Sequence, residues 1–584
     1  MNDTNATSNQ AHGDADVVDR VDVAVVGGGA AGLTLALHLR EQRPGTRIVV
    51  LERQGHPVPE AAHKVGESTV EIAAYYLREV LGLEQHLRSE QLDKYGLRMF
   101  FSGNGNDDIT RRVELGHSVR PPGAVGTYQL DRGRLENALG RELASRGTRF
   151  LSGAKVEDVE LRPDGEHHRL RVRADDGATR EIRARWVVDA TGRSSLLKRR
   201  LGLAKKVGHR ANAVWFRVGH PIDVDQWSDD PRWHARIEEG RRELSTNHLM
   251  GPGYWVWLIR LASGSTSVGI VTDPDLHAFD TLNRFERALA WLDEHEPQCA
   301  RVVREHRDQL QDFRVMKDYA YSCEQVFSAD RWCLAGEAGV FLDPLYSPGL
   351  DLIAISNGLI VDLITHALDG DDVTELAAVH NTVFLLIAEG WLSVYENQYA
   401  LMGNARVMLA KVIWDTAVYW AVPGLLYFHD VLRHLGDRPG LVTGLARFSA
   451  ASRDVQRFFR EWAAADAEPR DPAPFVRFYD FDFMRRLHIG MTAGLAEADL
   501  EEQFAANIRF IEHLSGQLVA TVTAEFEAET WNEAKQEQAR RWRADEALMA
   551  LVEVHRQERE TTPLPDQWIH HRAADETVGT GEAR

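Results

Sequence analysis

Cysteine is scarce in this chain. Cys299, Cys323 and Cys333 are the only three among 584 residues, too few and too scattered for a disulfide framework. No Cys-x-x-Cys or His-Glu-x-x-His spacing marks a metal site, and the 24 histidines read as surface or satisfied core groups. This usage fits a reducing cytoplasm. Basic charge is short as well: 68 Lys and Arg against 88 Asp and Glu leave a formal charge of −20, a surface that repels nucleic acid and anionic membrane. Long clean apolar runs are missing. The greasiest stretch, Val412 to Phe428, follows Lys411 and contains Asp415 and Pro423, so a buried helix is expected there and no stable membrane insertion. Residues 1–18 lack the apolar core of a secretory leader and read as a disordered tail, as do residues 573–584. Internal repeats and low-complexity tracts are absent.

The chain does have enough apolar material for a sizeable core, 44% of its residues, and a length that suits two or three packed units. Val21 to Val26 is a β-branched run feeding Gly27-x-Gly29-x-x-Gly32, a helix-compatible segment follows, and Ile48 to Leu51 forms a second strand closed by Glu52. In this β-α-β unit Gly27 permits the tight turn, Gly29 admits a pyrophosphate to the backbone, and Gly32 packs helix on strand. The N-H groups opening the helix, at Ala30 and Ala31, face the phosphates, and Glu52, followed by Arg53, accepts hydrogen bonds from a ribose. Alternating residues from Arg149 to Asp189 and from Tyr254 to Thr272 read as antiparallel strands. Beyond Leu350 the pattern turns helical, with segments expected at Leu350–Leu368, Thr382–Val418, Glu497–Glu527 and Trp531–Gln557. The expected fold is α/β: a Rossmann-like core over residues 19–370, interrupted by inserted segments at about 61–127 and 205–320 that carry an antiparallel sheet, and an all-helical C-terminal region over 371–572.

Further motifs narrow the nucleotide. Asp189-Ala-Thr-Gly192 follows the strand Trp186–Val188, and Gly336-Glu-Ala-Gly339 follows Trp332–Ala335 and leads to Asp343-Pro344. Tyr128-Gln-Leu-Asp-Arg132 stands at a helix start between them. This order resembles the FAD-dependent aromatic hydroxylases and their relatives over roughly residues 20–370. The resemblance implies that FAD is the cofactor and that Arg132, Gly336, Glu337, Asp343 and Pro344 lie along it. Glu337 stands where that class has an aspartate. No second Gly-x-Gly-x-x-Gly unit provides a nicotinamide site, so reduced flavin is expected from a separate flavin reductase.

Lys64-Val-Gly-Glu-Ser-Thr69 resembles the strap over FAD in the flavin-dependent halogenases, which places Lys64, Val65, Gly66, Glu67 and Ser68 on the cofactor. Read by itself, Ser68 or Thr69 is a helix N-cap. That family often has proline two residues after the threonine; here the residue is Glu71. Lys94 stands about where halogenases place their catalytic lysine. A buried amine with a lowered pKa can hydrogen-bond hypohalous acid or become a haloamine, whereas alone it reads as a surface lysine. Trp255-x-Trp257-x-Ile259 is similar to the strand that keeps substrate from the flavin, with Arg260 in place of the usual proline. In Leu345-Tyr-Ser-Pro-Gly-Leu-Asp351, Tyr346 and Ser347 are the expected catalytic-loop residues, and Gly349 and Leu350 are expected at flavin and halide. Pro348 brings no N-H. An aromatic at Tyr346, where tryptophan halogenases carry glutamate, points to the phenol and pyrrole types. Trp414 and Trp420 read as a helix interface or as substrate walls.

The resemblance therefore implies an FADH2-dependent halogenase. Oxygen adds to the flavin to give a hydroperoxide, chloride or bromide attacks it, and the oxidant reaches a small phenolic or pyrrolic substrate, free or on a carrier protein, through Lys94. Two alternatives stay open: an FAD-dependent aromatic monooxygenase that hydroxylates directly, and a catalytically silent flavoprotein scaffold.

Overall fold

A computed structural model describes residues 19–60, 64–102, 106–237, 241–466 and 475–570. The tails expected at 1–18 and 573–584 lie outside the described residues.

The strand Asp19–Val26 is the spine of the molecule. It pairs in parallel with Ile48–Glu52 on one side and Thr179–Asp189 on the other, and Arg149–Ser152 and Trp332–Leu334 extend the array outward. Val23, Ala24 and Val25 are wholly buried, because parallel strands covered on both faces need continuous apolar runs rather than alternation. Helix Ala30–Gln42 makes the crossover. Val26 lies level with Leu51 and Asp189, so the glycine turn, Glu52 and the Asp189 turn open at one end of the sheet. That end is where nucleotides bind in such sheets. Ala154–Glu160, His168–Ala174 and the long strand through Asp189 are antiparallel, as alternation suggested. Arg149–Ser152, expected with them, instead joins the parallel edge.

The two inserted segments build a single second sheet. Its order is Leu310–Met316, Asn212–Val218, Thr266–Thr272, Tyr254–Arg260, Thr246–Gly251, Leu97–Phe101, Val113–Gly116 and Phe475–Arg477. The last strand comes from the C-terminal region and runs parallel to Val113–Gly116. Among the described residues the C-terminal region is otherwise helical, as expected, with this three-residue strand its one departure.

Two expected long helices are broken. Thr382–Val418 is two helices, Thr374–Tyr395 and Ala405–Tyr419. Between them Asn397 takes a left-handed φ of 59°, and the Asn404 side chain accepts from the Val407 N-H at 3.1 Å to start the second. Trp531–Gln557 divides into Glu533–Ala544 and Glu546–Glu558, where Asp545 caps the second helix by accepting from the Leu548 N-H at 3.0 Å. Capping side chains outweighed apolar periodicity at both points. Val412–Phe428 is buried as expected, but after Tyr419 it widens into a turn over Trp420–Gly424 that accommodates Pro423, which has no N-H to donate.

Two stretches, Pro348–Asp369 and Thr374–Leu401, are long and apolar enough to cross a membrane by length and composition. In the first, 67% of the apolar window is buried in the protein; in the second only 22% is.

Candidate active site

Two cavities meet near the end of the parallel sheet. The first, about 520 Å³, is lined by the glycine turn, Glu52, Arg53, the Lys64–Ser68 strap, Arg132, Gly336, Glu337, Asp343, Pro344 and Ser347–Leu350. A Cβ on Gly27 would sit 2.2 Å from the Ala190 carbonyl oxygen, and one on Gly32 would sit 2.0 Å from that of Gly27. Both positions therefore require glycine, for turn and for helix packing. Gly29 differs: its face is open, and the nearest group to an added Cβ is the Lys64 Nζ at 4.0 Å. An anion on the Gly29 backbone would meet that ammonium and the helix N-terminus together. Glu52 is held by backbone donors, from Gly28 N at 2.6 Å to Oε2 and from Gln54 N at 2.8 Å to Oε1.

The strap is tied down by charge. Arg132 donates to the Val65 carbonyl at 2.6 Å and to Glu136 at 2.9 Å, and Glu136 also pairs with Lys64. Buried Glu67 accepts from Arg217 at 2.6 and 2.9 Å, and Arg217 reaches the Lys64 carbonyl at 3.1 Å. Arg217 escaped notice in the sequence because it lies in an ordinary-looking strand. Neither Ser68 nor Thr69 caps the next helix, whose first residue follows Val70. Thr69 instead exchanges hydrogen bonds with the Tyr128 backbone, accepting at 2.8 Å and donating at 3.2 Å.

Below the flavin end, Asp343 gathers three side chains: His209 Nε2 at 2.7 Å and the hydroxyls of Tyr319 at 2.7 Å and Tyr399 at 2.6 Å. Burial works to raise its carboxyl, but the bonds from His209 and Tyr399 and the charge of His209 hold it below the usual range. Tyr399 also accepts from the Trp255 indole N-H at 3.0 Å, and Trp257 donates to Ser267 at 3.1 Å. Both tryptophans line the cofactor cavity and neither lines the second one, so of the channel they were expected to border they meet only the cofactor side. Arg260 points elsewhere, its Nε 3.3 Å from Glu243.

The second cavity, about 710 Å³, is lined by Lys94, Glu71, Tyr346, Asp351, Tyr419, Trp420 and apolar residues of the C-terminal helices. Lys94 ends the short strand Leu92–Lys94 and is wholly buried. Its amine donates to Ser68 Oγ at 2.7 Å and to the Thr69 carbonyl at 2.6 Å. Ser68 lines the cofactor cavity, so the amine stands in the wall between the chambers, and Pro348, which lines both, completes that wall. Burial drops the Lys94 pKa to about 7 against the opposing charges of Glu71 and Asp351. Burial likewise lifts Asp351 to about 8, although Tyr419 and the Ala73 N-H donate to it at 2.7 and 2.9 Å. Near neutral pH the wall can therefore present an uncharged amine beside a protonated acid.

Tyr346 and Ser347 both take left-handed φ, 66° and 61°, directly before the helix Pro348–Asp369. Such backbone costs about 1–3 kcal/mol per residue and persists only where it is over-determined. Here the Ser347 N-H donates to the Pro344 carbonyl at 3.0 Å and the Tyr346 hydroxyl to Asp415 at 3.1 Å. The helix N-terminus, with Gly349 and Leu350, is thereby aimed into the cofactor cavity. Trp420 lines the second cavity, stacked on His488 at 4.4 Å. Trp414 lines neither: it is fully buried, donates to Ser515 at 3.0 Å and packs edge-on to Phe459. Its substrate reading is corrected to core. Among the described residues no His, Cys, Asp or Glu cluster suits a metal ion.

A glycine turn opening at one end of a Rossmann sheet, a buried lysine in the far wall of its cavity and a second chamber behind it suit a nucleotide-binding protein with two adjoining cavities. Residues 20–273 match the family model of the FAD binding domain. The chain is 23% identical over 445 residues to the flavin-dependent halogenase chlA of Dictyostelium discoideum, covering 70% of this chain and 71% of that one. It is 27% identical to the 1H-pyrrole-2-carbonyl-[peptidyl-carrier protein] chlorinase of Pseudomonas fluorescens, over 62% and 79% of the two chains. The fold is similar to the crystal structure of halogenase PltM in complex with phloroglucinol and FAD, with a TM-score of 0.61 at 15% identity, over 85% of this chain and 96% of that one. The chain is thus similar to flavin-dependent halogenases in sequence over most of the length of these relatives, and in fold.

Proposed function

We propose that this enzyme installs chlorine or bromine on an electron-rich phenolic or pyrrolic ring, and that Lys94 delivers the halogen. The single observation that carries this reading is the Lys94 amine, buried in the wall between two cavities and bonded to Ser68 of the cofactor strap. Reduced FAD, when bound with oxygen and halide, supplies the oxidising power. The residues of the chain do the rest. The glycine turn, Lys64 and Arg132 hold the nucleotide, and the helix N-terminus at Gly349 favours an anion, the halide, at the flavin end. The wall of Ser68, Lys94 and Pro348 keeps the substrate ring off the flavin, so that only a small oxidised halogen species crosses. Lys94, with its pKa near 7, is available as a neutral amine to hydrogen-bond that species or to carry it as a haloamine. The ring attacks the halogen, and Glu71, whose carboxylate lines the same cavity, takes the proton that leaves the ring. Reduced flavin comes from a separate reductase. Substrate arrives free or on a carrier protein.

Direct hydroxylation needs the ring at the flavin edge; that Trp255, Trp257 and Pro348 line the cofactor cavity supports the reading in which they keep it away. The test is product mass. With reduced FAD, oxygen and bromide, a simple phenol should gain bromine in the wild type and none in Lys94→Ala, while flavin oxidation continues. Oxygen insertion that survives Lys94→Ala would replace this reading with a monooxygenase.

A further inference from the structure

The reaction needs room for one ring, yet the second cavity is far larger than that and its polarity is lopsided. Its volume of about 710 Å³ falls in the range that holds a drug-sized ligand, roughly 300–1,000 Å³. Ionisable and hydroxyl side chains gather at the wall end: Glu71, Lys94, Tyr346, Asp351, Asp415 and Tyr419. Away from it the lining comes from two helices, Thr374–Tyr395 and Pro439–Ala465, and from the segment Leu432–Asp437 between them. That part is formed by Val383, Ile387, Val394, Leu435, Leu445 and Phe448. The charged groups of the lining that belong to these helices, Glu375 and Arg453, are exposed to solvent. The apolar character continues to the outside, where Leu386 is 61% and Val442 50% exposed. A polar arm such as a pantetheine would find few partners for its amides along such walls, whereas water leaves them at a gain when an alkyl chain enters.

We propose that the natural substrate is an amphiphile, an electron-rich ring bearing a long unbranched apolar tail, with the ring at Lys94 and the tail in the channel between the helices Thr374–Tyr395 and Pro439–Ala465. This deepens the halogenase reading, on which the placing of the ring rests. The tail draws the substrate in and fixes which ring position faces the amine. Selectivity between short and long substrates then comes from burial of methylenes rather than from hydrogen bonds.

Gly390 gives a clean obstruction. It lines the channel on an exposed helix face, and a Cβ built there meets nothing within 4 Å. Gly390→Trp therefore keeps the helix and fills the passage. The test is calorimetric titration of the full-length, FAD-loaded oxidised chain with 4-methyl-, 4-butyl- and 4-octylphenol, under conditions with no turnover. Affinity should rise about three- to fourfold per added methylene, the ratio corresponding to ~0.8 kcal/mol per buried CH2, until the channel is full. Gly390→Trp should bind 4-methylphenol as the wild type does and lose at least tenfold of the octyl gain. Equal affinity along the wild-type series, an octyl gain untouched by Gly390→Trp, or a gain confined to a pantetheine-linked phenol would overturn the proposal. Halogenation is scored separately. Chain-length-dependent binding without any halogen transfer refutes the reaction and leaves the channel standing, whereas halogenation with no chain-length dependence refutes the channel alone.

Discussion

Lys94→Met removes the amine at the wall while keeping an unbranched apolar side chain, and the structure dictates how stability should respond. In the unfolded chain the amine titrates near its ordinary value of 10.5; in the folded protein burial brings it to about 7. Below pH 7 the amine is charged in both states, and the native protein carries the whole penalty of holding an ammonium without water. Between pH 7 and 10.5 the unfolded chain binds a proton that the native one lacks, so the penalty fades as pH rises. The slope is roughly 1.4 kcal/mol per pH unit for one proton. The native value of about 7 already includes the opposing charges of Glu71 and Asp351, so about 3 kcal/mol over the window from pH 7 to 9.5 is expected, in favour of high pH. The methionine variant carries no such group. Urea unfolding at pH 6, 7.5 and 9.5 should show the variant at least as stable as wild type at pH 6, its advantage shrinking by about that amount at pH 9.5. A wild-type-minus-variant difference that stays flat across these pH values would mean that the amine is hydrated, and the dividing wall would be refuted with it.

Other perturbations separate cradle, strap and chamber. Gly32→Ala puts a Cβ 2.0 Å from the Gly27 carbonyl oxygen; flavin absorbance of the purified protein should be lost, and retention of full FAD content would contradict the turn's role. Arg217→Met leaves Glu67 buried without its guanidinium and should cost about 3–5 kcal/mol in unfolding experiments; a loss under 1 kcal/mol would show that the strap finds another partner. Trp414→Phe should lower Tm and leave KM unchanged, whereas Trp420→Ala should raise KM, since only Trp420 faces the second cavity. Steady-state kinetics of the two variants decide this, and equal KM effects would reject the assignment. Glu71→Gln should lower kcat more than tenfold with little change in flavin oxidation, measured by product formation against oxygen uptake; unchanged kcat would remove Glu71 as the proton acceptor.

The glycine turn and its β-α-β setting were legible because their parts are local. Glycines at fixed spacing, a β-branched strand before them and an acidic residue after the next strand each carry their reason within a few residues. Lys94 was legible only by resemblance, since a lysine beside Asp93 looks like a surface group until Ser68, Thr69 and Pro348 close around it. The wall is assembled from positions 68, 94 and 348, brought together by the cofactor strap, the short strand Leu92–Lys94 and the helix Pro348–Asp369, and no local pattern encodes such a meeting. Trp255 and Trp257 stand two apart on one strand, but the partner that holds the Trp255 indole, Tyr399, comes from the distant helical region. The helical region was misread where Asn404 and Asp545 cap new helices inside apolar periodicity, and the strand Phe475–Arg477 is too short to leave a repeat. The Asp343 cluster with His209, Tyr319 and Tyr399 had no sequence signal, because its four members are spread over nearly two hundred residues.

The most direct measurement of the central claim is a single-turnover experiment with reduced FAD, oxygen, bromide and a phenol, following flavin reoxidation and product mass in wild type and Lys94→Met. The two-chamber account predicts equal flavin reoxidation in both proteins, a brominated phenol from the wild type and none from the variant. A hydroxylated phenol from either protein, or bromination that persists without the amine at the wild-type rate, would contradict it.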